Sequence, residues 1–231
     1  MSLWTTLLNS GRRLFDSGPE PEIDSAGADG CAPDPNDVGF TAAVVGLGAK
    51  MAAADGLVSD QEIMTFARVF RAPPEEAENV RRVFTLARQT VRGYEAYARQ
   101  VAGLFPKGAP ALEELLDCLF HIAESNGEVT ASETEYLAEV ARIFGIDTRD
   151  FEALREAQRG PDEADPWRVL GIARDADEDT ARKAWRELVR THHPDVLTGQ
   201  GMPPEFVALA NERLSVINAA WDKVRKGKGW K

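Results

Sequence analysis

A chain of 231 residues leaves room for one or two domains. Its 43% hydrophobic content is that of a globular protein able to bury a core. Its net charge of −11 argues against nucleic acid as a partner, because phosphates repel an acidic surface. Residues 161–231 hold equal numbers of acids and bases, so the whole negative excess lies in the first 160 residues. Two modules with different partners are expected. Ala, Leu, Glu and Arg dominate, and alternating β-branched runs are scarce, so the expected fold class is all-α. The two cysteines, Cys31 and Cys118, form no CxxC pair, which excludes a zinc ribbon and fits a reducing compartment.

The opening stretch MSLWTTLLNSGRRLF has an apolar face formed by Leu3, Trp4, Leu7, Leu8, Leu14 and Phe15. It reads as a short docking helix, with a weak membrane-surface anchor as the alternative. It lacks an apolar core long enough for a signal peptide or a membrane span. Residues 17–36, rich in Pro, Gly, Ser and acids, read as a flexible linker. A second, shorter break at GPDEAD (160–165) separates a middle module of 37–160 from an end module of 165–231.

The middle module repeats itself. MAAADGLVSDQEI (51–63) aligns with IAESNGEVTASET (122–134), 71 positions later. Gly56 and Gly127 sit where a helix ends, and a left-handed residue is expected there. Ser59 and Thr130 are N-cap residues, with Glu62 and Glu133 three positions on, the spacing of a capping box. Each copy is therefore a helix–corner–helix unit, and Pro110 opens the helix that leads into the second copy. The corner acids admit another reading. Asp55, Asp60 and Glu62 in the first copy, and Asn126, Glu128 and Glu133 in the second, are oxygen ligands suited to calcium or magnesium. The D-x-D-x-D-G spacing of a calcium loop is absent, and both glutamates already have a capping role.

This module resembles the tellurite-resistance TerB family on the strength of AKMAAADGLVSDQE and its second copy. The resemblance implies an all-helical bundle with stress association, protein interaction and a possible metal site.

In the end module, Pro166 to Leu170 reads as a short helix ended by Gly171. Asp177 or Asp179 caps a second helix that runs to about Thr191. Ala181, Ala184, Trp185 and Leu188 recur at helical spacing as its core face, with Arg182, Lys183, Arg186 and Arg190 largely on the other side. A third helix opens at Pro203-Pro204, with Phe206, Ala210, Leu214, Ile217, Trp221 and Val224 as its buried stripe. Two such stripes joined by a polar loop describe an antiparallel helical hairpin. Between them stand His193, Pro194 and Asp195. Proline alone would end the helix, with His192 and His193 favourable near its negative end.

The ensemble of DPWRVLGI, ARKAWREL, the His-Pro-Asp tripeptide and INAAWDKV resembles the J domain of the DnaJ family. Val196 stands where that family often has lysine. Together with the TerB-like module, it is similar to the DjlA-like subgroup. The resemblance implies a co-chaperone that is not itself an enzyme and has no cofactor. It would stimulate ATP hydrolysis by a DnaK-type chaperone and bring it a client chosen by the TerB-like module. Chaperone contact is implied for His193, Pro194, Asp195, Arg182, Lys183, Arg186 and Arg190. No serine, cysteine or metal set accompanies the histidine, so no catalytic role is expected for it. The subgroup's membrane-spanning opening is replaced here by MSLWTTLLNSGRRLF, so the expected location is the cytoplasm, with membrane contact at most peripheral. The alternative function is a stress-response module that binds metal or protein.

Overall fold

The computed structural model describes residues 38–52, 54, 60–69, 78, 81–82, 85, 93–106, 109–200 and 204–230. Among them every regular element is a helix, and none is long and apolar enough to cross a membrane. The expectations for the opening stretch, the linker and the first-copy corner lie outside the described residues. Two compact units divide the chain, Met1–Gly145 and Ile146–Lys231.

The first unit is built around α1 (Val38–Ala52). Its residues from Ala43 to Ala52 are all buried, which explains the apolar run without a membrane: a helix apolar all round is a core helix. It packs against α3 (Tyr94–Gly103), α4 (Pro110–Ala123) and α5 (Ala131–Phe144). Gly46 lets α3 cross closely, since a Cβ there would stand 3.2 Å from the Tyr97 ring and require that ring to shift. Lys50 is also buried, its ammonium 5.8 Å from the Tyr97 ring centre. Burial pushes its pKa down, and Glu95 opposes that shift. Tyr136 of α5 ties back to α1 by donating its hydroxyl to the Leu47 carbonyl at 2.8 Å. The short helix α2 (Asp60–Val69) packs on α4.

The second-copy corner follows the sequence in its caps and departs from it at its glycine. Helix α4 ends at Ala123, and a 3₁₀ turn over Glu124–Asn126 precedes Gly127. Gly127 takes φ 135° and ψ −142°, an extended mirror-image conformation rather than the left-handed helical one. Glycine is still required, because an L side chain is strained there. Thr130 and Glu133 form the full capping box: Thr130 Oγ1 accepts from the Glu133 amide, and Glu133 Oε2 accepts from the Thr130 amide at 2.8 Å.

The second unit starts earlier than its sequence boundary. Helix α6 (Thr148–Ala157), which the sequence places in the middle module, belongs to the unit beginning at Ile146 and packs on α8 (Pro166–Val169) and α11 (Pro204–Lys228). The expected break at 160–165 is an ordered corner containing the single-turn α7 (Gly160–Glu163). Glu156, buried at the end of α6, accepts from the Asp165 amide at 2.8 Å and lies near Arg159 and Arg168 at 3.5 and 3.6 Å. The corner is therefore clasped onto α6 by its own backbone.

Helix α9 (Glu178–Thr191) and α11 form the expected hairpin, with α10 (Pro194–Gly199) between them. Asp177 caps α9 by accepting from the Thr180 amide at 2.8 Å. Ala181, Ala210, Ile217, Ala220, Trp221 and Val224 are buried, with Trp185, Leu188 and Leu214 packed at the edge. Trp185 stacks on Trp221 at 5.3 Å and donates its indole N–H to Asn218 at 2.9 Å, so a large apolar contact also fixes the helix register.

Candidate functional site

The tripeptide is held from both sides and left open to solvent. His192 closes α9, its amide donating to the Leu188 carbonyl at 3.0 Å. The chain then turns extended at His193, with φ −67° and ψ 135°. Pro194 follows at the first position of α10, where its missing N–H costs nothing and its fixed φ suits the helix. The His193 ring caps that helix, Nδ1 accepting from the Asp195 amide at 3.2 Å. That hydrogen bond uses the lone pair of Nδ1. Asp195 lies next to it with a side chain 93% exposed, 3.6 Å from Nδ1 and beyond hydrogen-bonding distance. Val196 adds an exposed apolar side chain beside the carboxylate.

Two expectations change here. The polar segment after the tripeptide begins with a helical turn, α10, rather than an irregular loop, because proline and the His193 cap together start a helix. The two histidines occupy different places at the helix end. His193 faces outward as a cap, while His192 is 1% exposed and faces α11.

The basic residues of α9 divide into two kinds. Arg182 is half-buried and paired with Glu178, and Arg190 pairs with Glu187 at 2.5 Å. The Arg190 hydrogen bond holds the Glu187 carboxyl below its ordinary range. Lys183 and Arg186 are exposed and make no ion pair among the described residues. Lys183 also lines a groove of about 780 Å³ between α6, α8 and α9, together with Ala153, Leu170, Ile172 and Leu188. The other charges lining the groove are paired, Arg149 with Asp150 at 3.0 Å and Glu187 with Arg190. Among the described residues, Lys183 and Arg186 are thus the unpaired cations of α9, the helix that precedes the tripeptide.

The acidic-corner residues do not gather into a comparable site. Among the described residues no group of three or more His, Cys, Asp or Glu is placed to hold a metal ion. Asp60 pairs with Arg81 at 2.8 Å, Glu128 is exposed, and Glu133 Oε2 is occupied by the capping box. Asp55 and the side chains of Glu62 and Asn126 lie outside the described residues. Glu124 is a group the sequence did not single out. Burial, and then the neighbouring Asp117 carboxylate, raise its pKa to about 7.

Fold and site define an all-helical protein in which a helical bundle precedes a helical hairpin with an exposed His-Pro-Asp turn. The chain belongs to the TerB family: the family of tellurite resistance protein TerB matches residues 41–156. That match runs through α6, so sequence kinship and packing assign this helix to different halves of the chain. Among its relatives is Co-chaperone protein DjlA of Photorhabdus laumondii, 36% identical over 119 residues, covering 49% of this chain and 44% of the relative. Co-chaperone protein DjlA of Haemophilus influenzae is 42% identical over 72 residues, covering 31% and 25%. The protein of the same name from Photobacterium profundum is 30% identical over 146 residues, covering 53% of each. The matches thus span about half or less of the length of these relatives. No solved structure matches the chain.

Proposed function

We propose that this protein is a DnaJ-type co-chaperone. The hairpin unit stimulates ATP hydrolysis by a DnaK-type chaperone, and the TerB-family unit selects the client or partner to which that chaperone is brought. The observation that carries the reading is the exposed Asp195 carboxylate on a turn stiffened by Pro194 and capped by His193. A stiff turn loses little conformational entropy on docking. A bare carboxylate can accept a charge-assisted, bidentate hydrogen bond from an arginine of the partner. Lys183 and Arg186 would steer the unit toward an acidic surface and raise the association rate more than the affinity. The similarity to relatives named co-chaperones supports the same class of role.

In this reading the chain makes and breaks no bond itself, and hydrolysis takes place in the partner. Neither cofactor nor nucleic acid enters. The site of action is the cytoplasm, with membrane contact at most peripheral.

The test is single-turnover ATP hydrolysis by a DnaK-type chaperone, with and without this chain. The wild type should accelerate the turnover. Asp195→Asn should lose most of that acceleration at unchanged thermal stability, since the side chain is in solvent. Equal stimulation by the two proteins would rule the reading out.

A further inference from the structure

We propose that His192, buried behind the exposed tripeptide, is a positioning residue for it, acting through Arg213. The functional half of this inference rests on the co-chaperone reading; the structural half does not. His192 is 1% exposed and Arg213 is 7% exposed. Arg213 Nη1 stands 3.3 Å from His192 Nδ1, across 21 residues of sequence. A guanidinium has donors only, so Nδ1 must accept. The imidazole is therefore neutral, with its proton on Nε2.

Arg213 occupies an unexpected place. Ala210 and Ile217, three residues before it and four after, are buried on the same face of α11. Packing alone would call for an apolar residue there. A buried arginine costs free energy unless its donors are met, and an apolar pair of similar volume is often as stable or more so. What the polar pair adds is direction. A hydrogen bond to Nδ1 fixes the ring plane of the residue at which α9 stops, and so fixes where the backbone swings extended at His193. His193 then meets the Asp195 amide, and Asp195 is aimed outward. An apolar pair would fill the space without setting this angle.

The experiment uses the full chain as wild type, as His192→Asn, which keeps a neutral acceptor near Nδ1, and as the double variant His192→Leu/Arg213→Met. Nitrogen-15 NMR reads the His192 tautomer and the amide shifts of 193–196. Chemical denaturation reads stability, and single-turnover ATP hydrolysis by a DnaK-type chaperone reads function. The inference expects the Nε2–H tautomer at neutral pH. In a folded double variant it expects displaced shifts at 193–196 and stimulation lower by on the order of tenfold, the scale of one lost hydrogen bond to a charged group. His192→Asn should stay within about threefold of wild type.

A ring protonated at Nδ1 overturns the inference, and so does a folded double variant with native shifts and native stimulation. If the double variant fails to fold, Arg213→Lys decides. Retained turn shifts support a directing donor, and displaced shifts with an intact fold contradict it. A wild type that gives no stimulation sinks the co-chaperone reading, while the tautomer and the turn shifts still judge the positioning.

Discussion

Glu124 shows how one side chain makes stability depend on pH. Its carboxyl titrates near 7 in the folded protein because it is partly buried beside Asp117, against an ordinary value of 4.5. The folded state therefore holds this proton more tightly than the unfolded chain does. Its contribution is neutral below about pH 4.5, becomes increasingly destabilising as pH rises toward 7, and is constant above that. Removing the charge with Glu124→Gln should leave stability unchanged at pH 4. At pH 8 it should stabilise by about 1–2 kcal/mol, after reducing the full shift for the solvent that still reaches the group. Urea unfolding at the two pH values checks this, and an equal effect at both would be wrong for a titrating group. No local pattern marks Glu124 in the sequence, since its pKa depends on Asp117, seven residues back on α4 and its 3₁₀ extension. The same holds for His192. Two adjacent histidines look alike in sequence, and only the packing of α11 against one of them separates cap from anchor.

Among the helices, those announced by their own ends were legible. Asp177, Thr130 and Pro110 mark starts that the structure uses, because caps are local chemistry. The hairpin stripes were legible for the same kind of reason: helical spacing puts Ala210, Ile217, Trp221 and Val224 on one face, whatever covers it. Helix α6 is assigned to one half by kinship and to the other by packing, because its stripe of Phe151, Leu154 and Ala157 says that it is buried but not against which neighbour. The clasp at Glu156 decides that, and it can be dissected. Glu156→Ala leaves the Asp165 amide without its acceptor and should cost about 1–3 kcal/mol. Glu156→Gln keeps the acceptor and loses only the looser contacts to Arg159 and Arg168, whose side chains are solvent-exposed, so it should cost less than about 1 kcal/mol. Guanidinium denaturation of the two variants orders them; a glutamine as damaging as the alanine would assign the clasp to charge instead.

At the scale of the whole molecule, the division at Gly145–Ile146 makes its own prediction. A fragment of residues 146–231 should fold cooperatively by itself. A fragment beginning at 161, near the boundary that the sequence suggests, lacks Phe151, Leu154 and Ala157 and should be less stable by about 3 kcal/mol or more, from lost apolar burial. Equal melting temperatures for the two fragments would return α6 to the first unit. The acidic and charge-balanced halves read from the sequence correspond to these units apart from that one helix.

The central claim is that the exposed turn after the basic helix is where an ATP-driven chaperone takes hold. The most direct measurement is an NMR titration of the nitrogen-15-labelled full chain with an ATP-bound DnaK-type chaperone. Signals of His193, Asp195 and Val196, with those of Lys183 and Arg186, should broaden or shift first, while those of the first unit stay in place. Perturbation confined to residues 38–145, with the turn unaffected at saturation, would contradict the account.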